Sequence, residues 1–132
     1  MAFIFNAFAD ESSGNFKEQI DALLRNKLNG LEVRAVDGQN VAELSLLRAG
    51  EIKKALAENG LNVWSIGSRL GKIKITDDFA GHMDEFRYTL ELAHALEAKY
   101  IRLFSFYTPK DEDPAIYRDA VMERMEIGRA HV

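Results

Sequence analysis

Polar and charged side chains recur at the ends of short apolar runs, where α/β proteins commonly place their sites. Glu32 and Arg34 alternate with apolar residues in one run. Arg102 and Ser105 flank a Leu-Phe pair in another. Such groups bind oxygen-rich ligands through charge-assisted hydrogen bonds. For Glu32 and Arg34, we favour a functional role over an internal salt bridge. For Arg102, an interior ion pair with Glu32 is at least as well supported as contact with a ligand.

A glycine-containing loop, residues 67–72 (GSRLGK), follows a third apolar run. A P-loop has four residues between its glycines and Ser or Thr after the lysine, but here three residues intervene and Ile73 follows. The spacing therefore excludes that nucleotide site. The amides around Gly67 and Ser68, with Lys72, are candidates to receive an anionic or hydroxyl-rich ligand. An ordinary tight turn is the equal alternative.

Other titratable residues give weaker signals. His82 lies early in the helix after this loop and is a candidate to lean over the site, although a solvated surface histidine is favoured. Asp10 and Glu11 follow the first apolar run, where a solvated loop is favoured over site carboxylates. No set of residues has the spacing of a metal site.

Four strands and four helices must position these residues. Apolar alternation predicts strands over residues 2–8, 31–36, 61–66 and 100–106, and helical periodicity predicts helices over 16–28, 48–59, 79–97 and 115–125. We expect Asn15 to cap the first helix, Gly60 to end the second, and residues 76–78 to cap the third. The phenylalanines of the first strand are predicted to be core, with Phe8 a candidate pocket residue (Phe3, Phe5, Phe8).

Strand and helix alternate, which indicates a parallel sheet with right-handed crossovers. Two architectures fit this α/β class: a small doubly wound sheet, or about four βα units of a partial (β/α)8 barrel, which needs roughly 250 residues when complete. The chain has 132 residues, a net charge of -4 and no cysteine. The acidic balance argues against a nucleic-acid partner. With no signal peptide and no membrane-length apolar run, we expect a cytoplasmic protein.

The last seven residues, 126–132, do not continue the helical pattern well, because Gly128 interrupts it. One reverse translation of them, GAG ATC GGA AGA GCA CAC GTC, matches a common sequencing-library adapter after its first base, and the adapter's next bases give a stop. Our hypothesis is that these residues are a non-native tail from adapter read-through, and that residues 1–125 belong to a barrel domain. A genuine short tail is the alternative.

Several of these segments together resemble a known family. GLEVRAVDGQNVAEL, IGSRLGKI, DDFAGHMDEF and YIRLFSF, with the opening strand, are similar to the N-terminal half of the xylose isomerase-like TIM-barrel superfamily over residues 3–124. Its sugar phosphate isomerase/epimerase branch is the most similar. Arg69 departs from that pattern, in which proline is expected.

This resemblance implies isomerisation, epimerisation or dehydration of a sugar or polyol. In that chemistry a divalent metal (Mn, Mg, Co or Zn) polarises the substrate and a carboxylate moves a proton. The family's metal ligands come from later strands, so no ligand or catalytic base is carried over, and we expect no metal to bind well here. The matched positions are substrate-side or site-shaping groups: Glu32, Arg34, Ser68, Lys72, His82, Arg102 and Ser105.

We therefore expect an inactive fragment that self-associates through exposed strand edges. One alternative is a complete small α/β ligand-binding module without catalysis. Another is an endonuclease-type barrel of the same superfamily acting on abasic DNA, which needs histidines at early strand ends. Residues 65–68 and 102–106 contain none, and the net charge is acidic.

Overall fold

Four parallel strands form the sheet that the βα alternation predicts. The computed structural model describes residues 2–130, the side chain of Ala130 excepted. Its strands are β1 (Asn6–Ala7), β2 (Gly30–Val33), β3 (Ala35–Val36), β4 (Gln39–Asn40), β5 (Asn62–Ile66) and β6 (Tyr100–Ile101). The order in the parallel sheet is β1-β2-β5-β6, and β3 and β4 form a separate antiparallel hairpin.

Helices follow the strands of the parallel sheet. They are α1 (Phe16–Arg25), α2 (Leu46–Glu58), α3 (Ala80–Leu96) and α4 (Arg118–Ala130), with 3-10 turns at Val41–Glu43 and Pro114–Tyr117. Four βα units in parallel register result, as a partial barrel requires. Within residues 2–130, none of the helices is both long enough and apolar enough to cross a membrane.

Local sequence sets several element ends, and those at Asn15 and Gly60 agree with the prediction. The Asn15 side chain accepts a hydrogen bond from the Glu18 amide at 3.2 Å and starts α1. Gly60, at φ +70°, follows the end of α2. Asp37 and Gly38, both at positive φ, make the turn between β3 and β4.

The apolar core lies between the sheet and its helices. Leu31 and Val33 of β2 and Val63 and Ile66 of β5 belong to one buried cluster with residues of α1, α2 and α3 (Ile20, Leu23, Ile52, Leu56, Leu92, Leu96). Along β2, successive residues point to opposite faces, so Glu32 faces away from the helices. Val63 and Ile66 of β5 are three residues apart, and both reach the core because the register with β2 shifts between Leu31 and Glu32, as at a β-bulge. The helices thus cover one face of the sheet, and the opposite face carries the polar residues.

The first strand is shorter than predicted. Only Asn6–Ala7 pairs regularly, and Phe3 and Phe5 are exposed, at 76% for Phe3, so their prediction as core residues is wrong. No part of the described chain covers these two side chains. Phe8 is half-buried and lies among the polar groups at the strand ends.

Three helix boundaries also differ from the prediction. Helix α1 stops at Arg25, before Asn26 and the positive-φ residue Lys27. Residues 76–78 do not cap α3, because the Asp77 carboxylate accepts from the Lys74 amide at 3.0 Å instead. Helix α4 begins at Arg118, after a 3-10 turn, and continues through Gly128, past the expected end near residue 125. The adapter origin of residues 126–132 stays a prediction, and residues 131–132 lie outside the described range.

Beyond β6, the chain keeps backbone pairing without regular strand geometry. The amide of Phe104 bonds the Leu70 carbonyl at 2.8 Å, and that of Phe106 bonds the Gly71 carbonyl at 3.1 Å. Residues 102–107 therefore lie against the loop that follows β5. The predicted fourth strand is right in position but is regular only at Tyr100–Ile101.

Gly71 makes this close approach possible, and its substitution is a test of the fold. Gly71 has φ +80°, and a Cβ there would overlap the Phe104 carbonyl oxygen. We expect Gly71→Ala to lower the free energy of unfolding by about 2–4 kcal/mol. The matched control is Gly81→Ala in α3, where nothing lies within 4 Å of the added Cβ. That change should stabilise by up to about 1 kcal/mol. Chemical denaturation of both variants measures this, and equal effects would contradict the described packing.

Candidate functional site

The carboxyl ends of β1, β2, β5 and β6 converge at one end of the sheet. The side chains that meet there are cationic, acidic and aromatic. We call this set the rim, and it consists of Phe8, Asp10, Glu11, Glu32, Arg34, Lys72, Arg102 and Phe104. It contains four of the residues predicted from sequence (Glu32, Arg34, Lys72, Arg102).

Arg34 is the most fully engaged cation of the rim. Its Nε lies 2.8 Å from Asp10 Oδ2, and its terminal nitrogen lies 3.0 Å from Glu11 Oε1. These hydrogen bonds raise the pKa of Arg34. Its guanidinium carbon also lies 4.4 Å from the centre of the Phe8 ring. Asp10, at 15% side-chain exposure, is therefore a site-shaping carboxylate, and its expected place in a solvated loop is wrong.

Arg102 joins the two aromatic rings of the rim. Its guanidinium carbon lies 4.9 Å from the Phe8 ring centre and 5.0 Å from that of Phe104. The predicted ion pair with Glu32 is present, but the closest nitrogen–oxygen distance is 3.8 Å, longer than a hydrogen bond. The Nε of Arg102 is buried and has no hydrogen-bond partner within residues 2–130. Its Nη2 lies 3.5 Å from the Ser68 carbonyl oxygen, a long hydrogen bond. Arg102 therefore keeps one donor, Nε, that the described part of the protein does not use.

Lys72 carries the third cationic group of the rim. The side chain is exposed, and its ammonium lies 4.6 Å from the centre of the Phe104 ring. The ion pairs found among the described residues do not include Lys72. An aromatic face attracts a cation without using its hydrogen bonds. Lys72 thus adds positive charge that no carboxylate of the described chain neutralises.

Gly67 lets these groups approach one another. A Cβ at this position would lie 2.8 Å from Phe8 Cε1 and 3.2 Å from Arg34 Cβ, both closer than side chains normally pack. It would also lie 3.3 Å from Glu32 Oε1. The loop was singled out in the sequence as an anion cradle, whereas this glycine serves packing between strand ends.

Ser68 shapes the loop and does not face the rim. It is 3% exposed, its hydroxyl donates to the Arg102 carbonyl, and the Leu70 amide donates to its Oγ at 3.2 Å. A ligand would have to displace both partners to reach this hydroxyl. Of its two predicted roles, substrate-side or site-shaping, the structure supports the second.

Four backbone amides of the loop donate hydrogen bonds within the protein. The predicted amide cradle is therefore wrong for these four amides. The engaged donors are Gly67 to the Val33 carbonyl (2.8 Å), Leu70 to Ser68 Oγ, Gly71 to His82 Nε2 (2.7 Å) and Lys72 to the Arg69 carbonyl (3.0 Å). The amides of Ser68 and Arg69 are not among these engaged donors, so at those two positions the cradle stays a prediction.

His82 holds the loop from the helix side. Its Nε2 accepts from the Gly71 amide, and its ring packs near Phe79 and Phe106, with centroids 6.1 and 6.3 Å away. Burial is the main cause that lowers the pKa of His82, while Glu85 opposes that shift. Arg124 and Arg69 lower it further. His82 is thus a positioning residue for Gly71 in this structure.

Ser105 does not join the rim. It is exposed, and it lies between Phe104 and Phe106, whose amides bond the loop. Alternation along an extended chain directs the Ser105 amide away from the loop, toward the open edge of the sheet. Sequence reasoning missed Phe104, because an aromatic residue in an apolar run carries no polar signal.

The rim does not fit a divalent metal. Each of its carboxylates meets a guanidinium: Asp10 and Glu11 meet Arg34, and Glu32 meets Arg102. Within residues 2–130, no group of three or more His, Asp or Glu side chains is placed to hold a metal ion. The chemistry available here is charge pairing, hydrogen bonding and aromatic contact.

Comparison with known proteins supports the fold. No protein-family model matches the chain, and no curated protein matches it. Among solved structures, the chain is similar to the probable 3-DHS dehydratase AsbF of Bacillus anthracis, described as involved in petrobactin synthesis, with a TM-score of 0.74 and 16% identity. The match covers 96% of this chain and 47% of that one. The chain therefore spans about half the length of this TIM-barrel neighbour, and its fold is a partial (β/α)8 barrel.

The contact between His82 and Gly71 predicts a pH dependence of stability. A lowered pKa in the folded state means that folding favours neutral His82, so its contribution is complete above the unfolded value near 6.5. It is lost as the pH falls from about 6.5 through the lower folded pKa, because protonation removes the acceptor for the Gly71 amide. We expect His82→Gln to reduce this acid-side loss in thermal unfolding between pH 7 and pH 5. His94→Gln, on the same helix and exposed, is the control. An identical pH profile for His82→Gln and the parent would contradict this role.

Proposed function

We propose that this chain is the N-terminal half of a sugar- or polyol-processing barrel of the xylose isomerase-like type. In this proposal, the rim binds the negatively charged end of the substrate. One observation carries it: Arg102 and Lys72 lie over aromatic rings at the carboxyl ends of parallel strands, with charge that the protein does not neutralise in full. That end of a barrel is where TIM-barrel enzymes bind their substrates.

In this proposal, each group of the rim makes a different contact with the substrate. Arg102 and Lys72 attract a carboxylate or phosphate and donate hydrogen bonds to its oxygens. The rings of Phe8 and Phe104 offer apolar surface to the C–H groups of a sugar. Glu32 accepts hydrogen bonds from hydroxyl groups. Arg34, held by Asp10 and Glu11, fixes Phe8 in place.

We propose isomerisation or epimerisation as the reaction of the complete enzyme, with a metal and a carboxylate that later strands would supply. Dehydration, the third reaction that the resemblance implies, is the one in the name of the structural neighbour. Because the rim's residues do not fit a metal, we assign no metal-assisted reaction step to this chain. We therefore propose that the chain alone binds substrate without converting it, in a cytoplasmic setting.

A small α/β ligand-binding module without catalysis is the second candidate. The pairing of every rim carboxylate with a guanidinium favours it, because none is left free as a base. The two functions differ in one respect. A catalytic half should gain turnover when complemented by the missing strands, whereas a binding module should bind without them and never convert the ligand.

Charge selectivity tests the proposed binding mode. We expect gluconate, a sugar acid, to bind more tightly than sorbitol, its neutral polyol counterpart, in a titration followed by NMR chemical shifts. Lys72→Ala should weaken gluconate binding by about two- to fivefold and leave sorbitol unchanged, since an exposed charge pair contributes up to about 1 kcal/mol.

Lys54→Ala is the matched control, because Lys54 lies on α2, far from the strand ends, and is equally charged. It should change neither ligand's affinity. Equal affinities for gluconate and sorbitol, or equal effects of the two lysine variants, would overturn the proposed use of the rim.

A further inference from the structure

Within residues 2–130, all four helices lie on one side of the sheet, and none covers the opposite face. Asn6, Gly30 and Asn62 lie side by side on it, since a Cβ at Gly30 would meet both asparagine side chains. Trp64 and Tyr100 lie on the same face, with ring centres 5.4 Å apart, and Tyr100 is 58% exposed. Parallel sheets are almost always covered on both faces, by helices or by the packed interior of a barrel. In the described residues, this sheet is covered on one face only, by the four helices.

No strand of the described residues pairs with the outer side of β1 or of β6, and both edges expose apolar side chains. Beside β1, residues 3–5 (Phe-Ile-Phe) expose three large side chains without a charge among them. Along β6 and its extension, the exposed side chains are Tyr100, Leu103 and Tyr107. Exposed apolar edges are surfaces on which another strand pairs.

We propose that two copies of this chain close an eight-stranded barrel, with β6 of each copy pairing in parallel with β1 of the other. Four strands from each copy give the eight of a (β/α)8 barrel, and one chain covers 47% of a complete one. The same contact, made twice and related by a half-turn about the barrel axis, closes the assembly without leaving an edge. The open faces of the two sheets then meet as the barrel interior.

A second copy fits this surface better than other self-pairings. If β1 paired with β1 of another copy, the β6 edges would stay exposed, and pairing of two β6 edges would leave β1 exposed. Only the β1–β6 contact buries every edge of both copies. The uncharged side chains of residues 3–5 and of Tyr100, Leu103 and Tyr107 also meet without like-charge repulsion.

The assembly would complete the site. All four strands of each copy run in the same direction, so both rims would lie at the same mouth of the barrel. Arg102 and Lys72 of the second copy would then face those of the first across the opening. This inference concerns assembly and does not depend on which ligand the rim binds.

Site-specific cross-linking tests it, and the absence of cysteine in the chain makes the test clean. The double variant Ile4→Cys with Tyr100→Cys should give a covalent dimer with a bifunctional maleimide. Each single variant should not, because like edges lie on opposite sides of a closed barrel. Light scattering should give twice the 14.9 kDa of one chain.

A charge at one edge should dissociate the dimer. We expect Ile4→Lys to weaken dimerisation by about tenfold or more, while Leu47→Lys on α2, an exposed leucine far from both edges, leaves it unchanged. Circular dichroism confirms that both variants fold. A parent chain that stays monomeric, a covalent dimer from Ile4→Cys alone, or a ladder of larger covalent species would each overturn the closed barrel.

Discussion

The register between β2 and β5 decides which side chains of the sheet meet the helices and which meet one another at the rim. Leu31 opposes Val63, and Val33 opposes Ile66; a shift of register between Leu31 and Glu32 brings all four into the apolar core although Val63 and Ile66 are three residues apart. Alternation along β2 sends Glu32 to the opposite face. A slip of one residue would exchange the faces and bury a carboxylate among leucines and valines, at a large cost in stability. One register therefore fixes both the core and the charged site.

Within the rim, the three cations differ in how far the protein neutralises them. Arg34 meets two carboxylates at hydrogen-bond distance, Arg102 meets one at 3.8 Å, and Lys72 meets only a ring. The positive charge available to a ligand is thus smallest at Arg34 and largest at Lys72. Phe104 holds Lys72 and Arg102 through its ring face, a contact that uses none of their hydrogen-bond donors. Such a surface is suited to holding an anion.

The parts predicted from sequence are those that short-range patterns control. The cap by Asn15 and the alternation of strands and helices depend on neighbouring residues, and the convergence of strand ends follows from parallel pairing. The failures needed distant contacts. The apolar pattern of Phe5 indicates a preference for burial but not whether any part of the chain covers it. The sequence neighbours of Ser68 do not show that its hydroxyl is engaged, because the carbonyl that accepts from it, that of Arg102, is 34 residues away. Asp10 reads as solvated for the same reason, because Arg34 is 24 residues away.

Binding strength and chemistry are limited by the same geometric fact. A pocket that buries most of a small ligand needs groups on all sides of it, and four strand ends surround a ligand on one side only. The carboxylates on that side are each engaged by a guanidinium, so a group that removes a proton has to come from the other side. The open edges beside β1 and β6 fix the direction from which such groups can arrive. Whatever strands pair there would meet Arg102 and Lys72 across the mouth, and would add a second wall to the site without moving the first.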